Sequence, residues 1–123
     1  MLLANTAMHK YLDVLSTCGE CTGVLGYAVA RNKRKISEAI KEYLLFYNKT
    51  LEKYGEPVFD EHGNVSGYKM DPKSPNYMDF IQEITPVAHI EEEVDIYKVP
   101  MIEAAKQLNA KTLEELYFML EDK

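Results

Sequence analysis

The chain reads as a mostly helical α+β protein, and three observations carry that reading. Val24 to Tyr54 is a proline-free run with apolar residues three or four apart. Residues 58–70 alternate on either side of a glycine-bearing turn, and the C-terminal third carries two helix-start signals, at Pro100 and at Thr112 with Glu115. The predicted order is helix, helix, hairpin, helix, strand, helix, helix. It amounts to an N-terminal helical hairpin with one long helix, a small antiparallel β-hairpin or three-stranded sheet, and short C-terminal helices. With 123 residues, 46% of them hydrophobic, and with nine tyrosines and four phenylalanines, the sequence can furnish the core of a single domain over 1–123.

The first helix is expected over residues 3–16, where Leu3, Met8, Tyr11, Leu12 and Leu15 share one side. Thr17-Cys18-Gly19-Glu20-Cys21-Thr22-Gly23 interrupts it, and two glycines and two threonines in that stretch favour a turn that folds the first helix back on the second. The second helix carries Leu25, Val29, Ile36, Ile40, Tyr43, Leu44, Tyr47, Leu51 and Tyr54 as its apolar stripe. At 1.5 Å per residue a helix of about 31 residues is roughly 46 Å long. A single domain of this size has a diameter near 35 Å. A straight helix of that length must therefore protrude, bend or meet a companion, and a break is expected, if anywhere, near Gly26 to Asn32.

Gly55 stands where a left-handed helix cap is wanted, and Pro57 prevents resumption. Two strands follow around His62-Gly63-Asn64, and because an isolated hairpin is marginal in water, Glu93 to Val99 is expected to supply a third. Between them Ser74 and Pro75 predict the start of a short helix through Ile84, with Tyr77, Phe80, Ile81 and Ile84 buried. Pro100 opens a helix through about Leu108, and Thr112 with Glu115 caps a last one through Leu120.

A net charge of −6 repels a nucleic-acid duplex before contact forms, so nucleic acid is an unfavoured partner. No stretch approaches the ~18 uninterrupted apolar residues of a membrane span, and the expectation is a cytoplasmic protein with no membrane association. Locally the charge is uneven. Arg31, Lys33, Arg34 and Lys35 form a basic cluster and Glu91, Glu92, Glu93 and Asp95 an acidic one, each readable as solvated surface or as a docking patch.

Cys18-Gly19-Glu20-Cys21 is the one motif with a chemical spacing, because two thiolates three residues apart can chelate a metal or close a disulfide. A structural zinc site needs four ligands, and His9, His62 and His89 show no paired spacing, so ordinary turn cysteines, a metal site and redox chemistry all stay open. The sequence has no phosphate-binding loop, dinucleotide glycine pattern or nucleophile elbow. No enzymatic activity and no cofactor are expected. The tyrosines weigh differently: Tyr27, Tyr43, Tyr47 and Tyr54 lie on the long helix, and a ring with a polar tip suits either a core edge or an interface. If the helix stays straight, its tyrosine stripe is where a partner sits, with a homodimer the leading arrangement.

Ala30-Arg31-Asn32-Lys33-Arg34-Lys35 at the start of a long helix, Leu51-Glu52-Lys53-Tyr54-Gly55, Phe59-Asp60-Glu61-His62-Gly63-Asn64 and a later Glu-rich strand together resemble small uncharacterised proteins of tailed phages and prophages. The resemblance spans about residues 28–100 and leaves the Cys-x-x-Cys turn without a counterpart. It implies a phage-associated accessory protein with no assigned enzyme activity, and it carries no functional residue across. The combined expectation is an interaction protein that binds, and inhibits, a host or viral protein through Arg31, Lys33, Arg34, Lys35, Tyr43 and Tyr47, with Glu91, Glu92 and Glu93 as a second patch. A virion assembly or tail-associated factor, a small-molecule-sequestering module and a metal or redox protein built on Cys18 and Cys21 are the alternatives.

Overall fold

The structure, a computed structural model, describes residues 1–122. Its elements run β1 (Leu2–Ala4), α1 (Asn5–Ser16), α2 (Gly23–Ala39), α3 (Lys41–Tyr54), β2 (Glu56–Phe59), β3 (Val65–Lys69), α4 (Tyr77–Ala88), β4 (Glu91–Glu93), β5 (Val99–Pro100), α5 (Met101–Ala105), α6 (Ala110–Glu115), a 3₁₀ turn (Tyr117–Met119) and β6 (Leu120–Glu121). The protein is mostly helical α+β, as predicted. Among the described residues no helix is long and apolar enough to cross a membrane.

By its contacts the chain divides into two compact units: residues 1–40 with the chain from Glu91 onward, and Lys41–Ile90. The division runs through the run read as one long helix. Ile40, at φ −101° and ψ 8°, ends α2, and α3 begins at Lys41. The interruption is not the one expected near Gly26 to Asn32, and neither glycine nor proline marks it. Its reason is tertiary. Leu25, Val29 and Ile36 of the stripe are buried in the first unit, while Tyr43 and Thr50 are buried in the second. The two helices, of 17 and 14 residues, are about 26 and 21 Å long.

In the first unit α1 packs on α2 as the predicted helical hairpin, and Met8, Leu15, Leu25, Ile36, Val99, Leu116 and Met119 are fully buried. Leu3 lies in β1 rather than in the first helix, and β1 pairs antiparallel with β4 in the register Leu2↔Glu93, Leu3↔Glu92, Ala4↔Glu91. Leu3 faces the core while Leu2 is exposed, the two-residue alternation of a strand with one covered face. This corrects the expected third strand: residues 93–99 do not join the hairpin, β4 pairs with β1, and β5 pairs in parallel with β6. The C-terminal cap also differs, because Asn109 rather than Thr112 opens α6, its Oδ1 accepting from the Thr112 amide at 2.8 Å. That helix stops at Glu115, well short of Leu120.

In the second unit β2 and β3 form the predicted hairpin, with a bulge between Val58 and Phe59. Asp60 Oδ1 accepts from the amides of His62 and Asn64, both at 2.9 Å, and Gly63 takes φ +81° to close the turn. Gly55 is not the left-handed cap it was read as, since Gly23 and Gly63 are the glycines with positive φ among the described residues. It is needed for closeness instead. A Cβ there would stand 2.6 Å from the carbonyl oxygens of both Leu51 and Lys69. Helix α4 starts at Tyr77 behind Asn76 rather than at Ser74, runs through Pro86 to Ala88, and buries Phe80, Ile84 and Ala88, with Tyr77 and Ile81 only half-buried. It is tied to α3 by Glu83, whose Oε1 accepts from Lys53 Nζ at 2.9 Å and from the Tyr54 hydroxyl at 2.7 Å.

Two outcomes follow from this packing. Gly55→Ala should destabilise the protein by about 1–3 kcal/mol in urea unfolding, because one backbone carbonyl must move for each clash. The hydrogen bonds from Lys53 and then Tyr54 hold the Glu83 carboxyl below its ordinary range. A carboxyl depressed on folding adds stability that is present above its unfolded value, near 4.3, and is lost as pH falls through the folded one. The stability gap between wild type and Glu83→Gln is therefore expected to narrow as pH falls from about 6 to about 3, measured by urea unfolding at each pH.

Candidate functional site

The first unit brings Arg31 and Lys35 of the basic cluster beside Glu93 and Asp95 of the acidic one, and a buried asparagine holds the segment that carries Asp95. Asn32 interrupts the apolar stripe of α2 between Val29 and Ile36 and is 0% exposed, so its amide must find partners inside. It finds them on the extended chain after β4. Asn32 Nδ2 donates to the Tyr97 carbonyl at 2.9 Å, and the Tyr97 amide donates to Asn32 Oδ1 at 2.8 Å. Residues 94–98 belong to no strand, so this two-point clamp takes the place of a ladder on that side. Val94 is buried, and its amide donates to the Met1 carbonyl at 2.9 Å.

Held in this way, the segment sets Asp95 and Tyr97 against the exposed side of α2. Arg31 Nη2 donates to Asp95 Oδ2 at 2.8 Å, Nη1 donates to the Tyr27 hydroxyl at 3.4 Å, and the guanidinium lies 5.6 Å from the centre of the Tyr97 ring. The Tyr27 and Tyr97 rings meet edge to face at 5.3 Å and 87°. The Tyr27 hydrogen bond, opposed by burial and then helped by the charges of Tyr27 and Asp95, keeps Arg31 more firmly protonated than a free guanidinium. Its Nε is buried with no hydrogen-bond partner. Both rings nevertheless remain open to solvent, Tyr27 at 55% and Tyr97 at 37% exposure.

The sequence-predicted residues divide around this cluster. Arg31 is at its centre. Arg34 is exposed and pairs with Glu38 at 3.5 Å, and Lys35 lines a shallow hollow with Glu38, Glu93 and Asp95. Lys33 is exposed and lies outside that hollow. Glu91, Glu92 and Glu93 are all exposed on β4, where the Met1 amino group pairs with Glu93. Tyr43 and Tyr47 belong to the second unit, where they do packing work: Tyr43 is 6% exposed, its ring lies 6.0 Å from that of Tyr47, and Tyr47 meets Phe80 edge to face at 5.7 Å. Burial, and then the neighbouring Tyr47, push the Tyr43 hydroxyl pKa up. Asn32 and Tyr97 escaped the sequence reading. A signal for Asn32 existed, since an amide on the apolar stripe of a helix has to be satisfied by something outside that helix.

Cys18 and Cys21 are free cysteines in the turn between α1 and α2. Cys18 is buried and its thiol donates to the Val14 carbonyl at 3.4 Å, Cys21 is half-buried, and both line an open cavity of about 330 Å³ with Thr17, Glu20, Gln107 and Thr112. Gln107 closes one side of this turn with a second amide clamp, accepting from the Thr22 amide at 2.8 Å and donating to the Thr22 carbonyl at 3.0 Å. Among the described residues no group of three or more His, Cys, Asp and Glu side chains is placed to hold a metal ion.

No family model, curated protein or solved structure matches this chain. The geometry of the face is therefore the ground for a functional reading, and the clamp is its testable support. Asn32→Ala strands the amide and carbonyl of Tyr97, and a loss of about 3 kcal/mol is expected in urea unfolding.

Proposed function

We propose that this chain is a non-enzymatic interaction protein of the phage-accessory type, acting in the host cytoplasm by binding a host or viral protein and inhibiting it. The observation that carries this reading is the Tyr27–Tyr97 pair, two solvent-exposed rings fixed by Arg31, Asp95 and the Asn32 clamp. Tyrosine and arginine dominate the energetic centres of protein interfaces, and side chains already held in one arrangement lose less entropy when a partner covers them. Arg34 shares a shallow hollow with Tyr27 and Arg31, and Lys35, Glu38 and Glu93 line another with Asp95, so charges of both signs lie on the same unit, where complementary charge sets orientation and association rate. The resemblance over residues 28–100 adds the phage setting. Relative to the sequence expectation, the contact residues shift from Tyr43 and Tyr47, which pack within their own unit, to Tyr27 and Tyr97 beside Arg31.

The test is capture from phage-infected cells, with a photo-crosslinking residue at position 27 and a control at exposed Lys10 on α1. A discrete protein adduct is expected from position 27 and not from position 10. Tyr27→Ala should weaken binding of the partner so identified by about thirtyfold, the effect of losing a contact worth about 2 kcal/mol. Native mass spectrometry of the purified protein decides whether the occupant is a second copy, in which case the dimer of the wild type is lost in Tyr27→Ala. Equal adducts from both positions, or binding unchanged in Tyr27→Ala, would overturn the proposal.

A further inference from the structure

We propose that Cys18 and Cys21 form a reversible dithiol–disulfide pair whose oxidant is a low-molecular-weight disulfide, with Cys21 the attacking thiol and Cys18 the resolving one. The backbone sets the distance. Cys18-Gly19-Glu20-Cys21 closes as a turn through the Cys21 amide and the Cys18 carbonyl at 3.2 Å. The end Cα atoms of such a turn lie within about 7 Å of each other, and a disulfide spans 4.4–6.8 Å. Two sulfur atoms suffice for this chemistry, whereas a structural zinc site needs four ligands.

Exposure assigns the order of events. Both cysteines line the open cavity, but Cys18 is only 5% exposed, with Val14 and Thr17 as its polar neighbours, whereas Cys21 is half-buried. The Cys21 thiolate attacks one sulfur of the incoming disulfide, forming a mixed disulfide and expelling a thiolate. The Cys18 thiolate then attacks Cys21 Sγ, closing the internal disulfide and expelling the second thiolate. The two protons given up by the cysteines end on the two released thiols, so one disulfide is reduced as one is formed. Burial, then the charge and hydrogen bond of Cys18, push the Cys21 thiol pKa up. Exchange is accordingly slow near neutral pH, and the state is read at equilibrium. The residue after Cys21 is Thr22, gripped by Gln107, so oxidation stiffens the chain where the α1–α2 connection meets the residues following α5.

The test equilibrates the full chain anaerobically in mixtures of glutathione and glutathione disulfide, quenches with acid and measures intact mass. Wild type is expected to lose the mass of two hydrogens in a single step and to retain no glutathione. Cys18→Ser should keep one glutathionyl group on Cys21, and Cys21→Ser should be modified about tenfold more slowly, because its remaining thiol is buried. Circular dichroism checks that both variants fold, and if either does not, the wild-type mass alone decides. A wild type that stays reduced in the most oxidising mixture, retains glutathione or links into dimers through sulfur would overturn the proposal, as would equal modification of the two serine variants.

Discussion

The first unit depends on one constraint: a side-chain amide sealed from water must have every polar atom matched. Asn32 has no exposure, and its matching groups are the amide and carbonyl of Tyr97, sixty-five positions away, with Met119 Sδ accepting from Nδ2 at 3.5 Å. Leaving such groups unmatched costs about 1–3 kcal/mol each, so the pairing fixes where the chain after β4 can run. Asp95 and Tyr97 reach Arg31 and Tyr27 because the backbone between them has been anchored first. The ion pair, the ring-to-ring contact and the cation over the ring are individually modest. On an anchored segment they act together, and they offset the unpaired Arg31 Nε.

The same device recurs at Gln107, whose amide grips both backbone groups of Thr22. The Asn32 clamp joins α2 to a segment lacking regular structure, and the Gln107 clamp joins the turn before α2 to the residues following α5. The three strand pairings are only two to five residues long, and side-chain amides supply backbone hydrogen bonds that longer ladders would otherwise provide. The second unit uses charge and close approach for the same end. Glu83 collects the Lys53 ammonium and the Tyr54 hydroxyl at the end of α3, and the missing side chain of Gly55 lets the backbone of β3 come near.

The interaction reading draws on what this anchoring leaves outside. The clamp holds the backbone of Tyr97, and its ring and that of Tyr27 meet edge to face while both stay exposed. Rings held in water by a rigid base present area to a partner with little further loss of freedom. Tyr43 and Tyr47, equally prominent in the sequence, carry the opposite assignment because α4 supplies Phe80 to pack beside Tyr47.

Periodicity and turn chemistry determined the helical hairpin, the β-hairpin with its Asp60 and Gly63 turn, and the mostly helical α+β class, because each rests on contacts within a few residues or on one buried face. The two charge clusters were legible as well, though not their adjacency. What only the tertiary structure decided depends on partners distant in sequence. A stripe continuous from Leu25 to Tyr54 says that one face is buried but not that two cores share it, so the division at Ile40 left no local mark. Glu91–Glu93 has no strand signal of its own and becomes a strand because β1 lies beside it. Tyrosine suits both a covered edge and open water, and its neighbours decided the exposure: Tyr43 is buried and Tyr47 packs on Phe80, whereas Tyr27 and Tyr97 stay exposed beside Arg31.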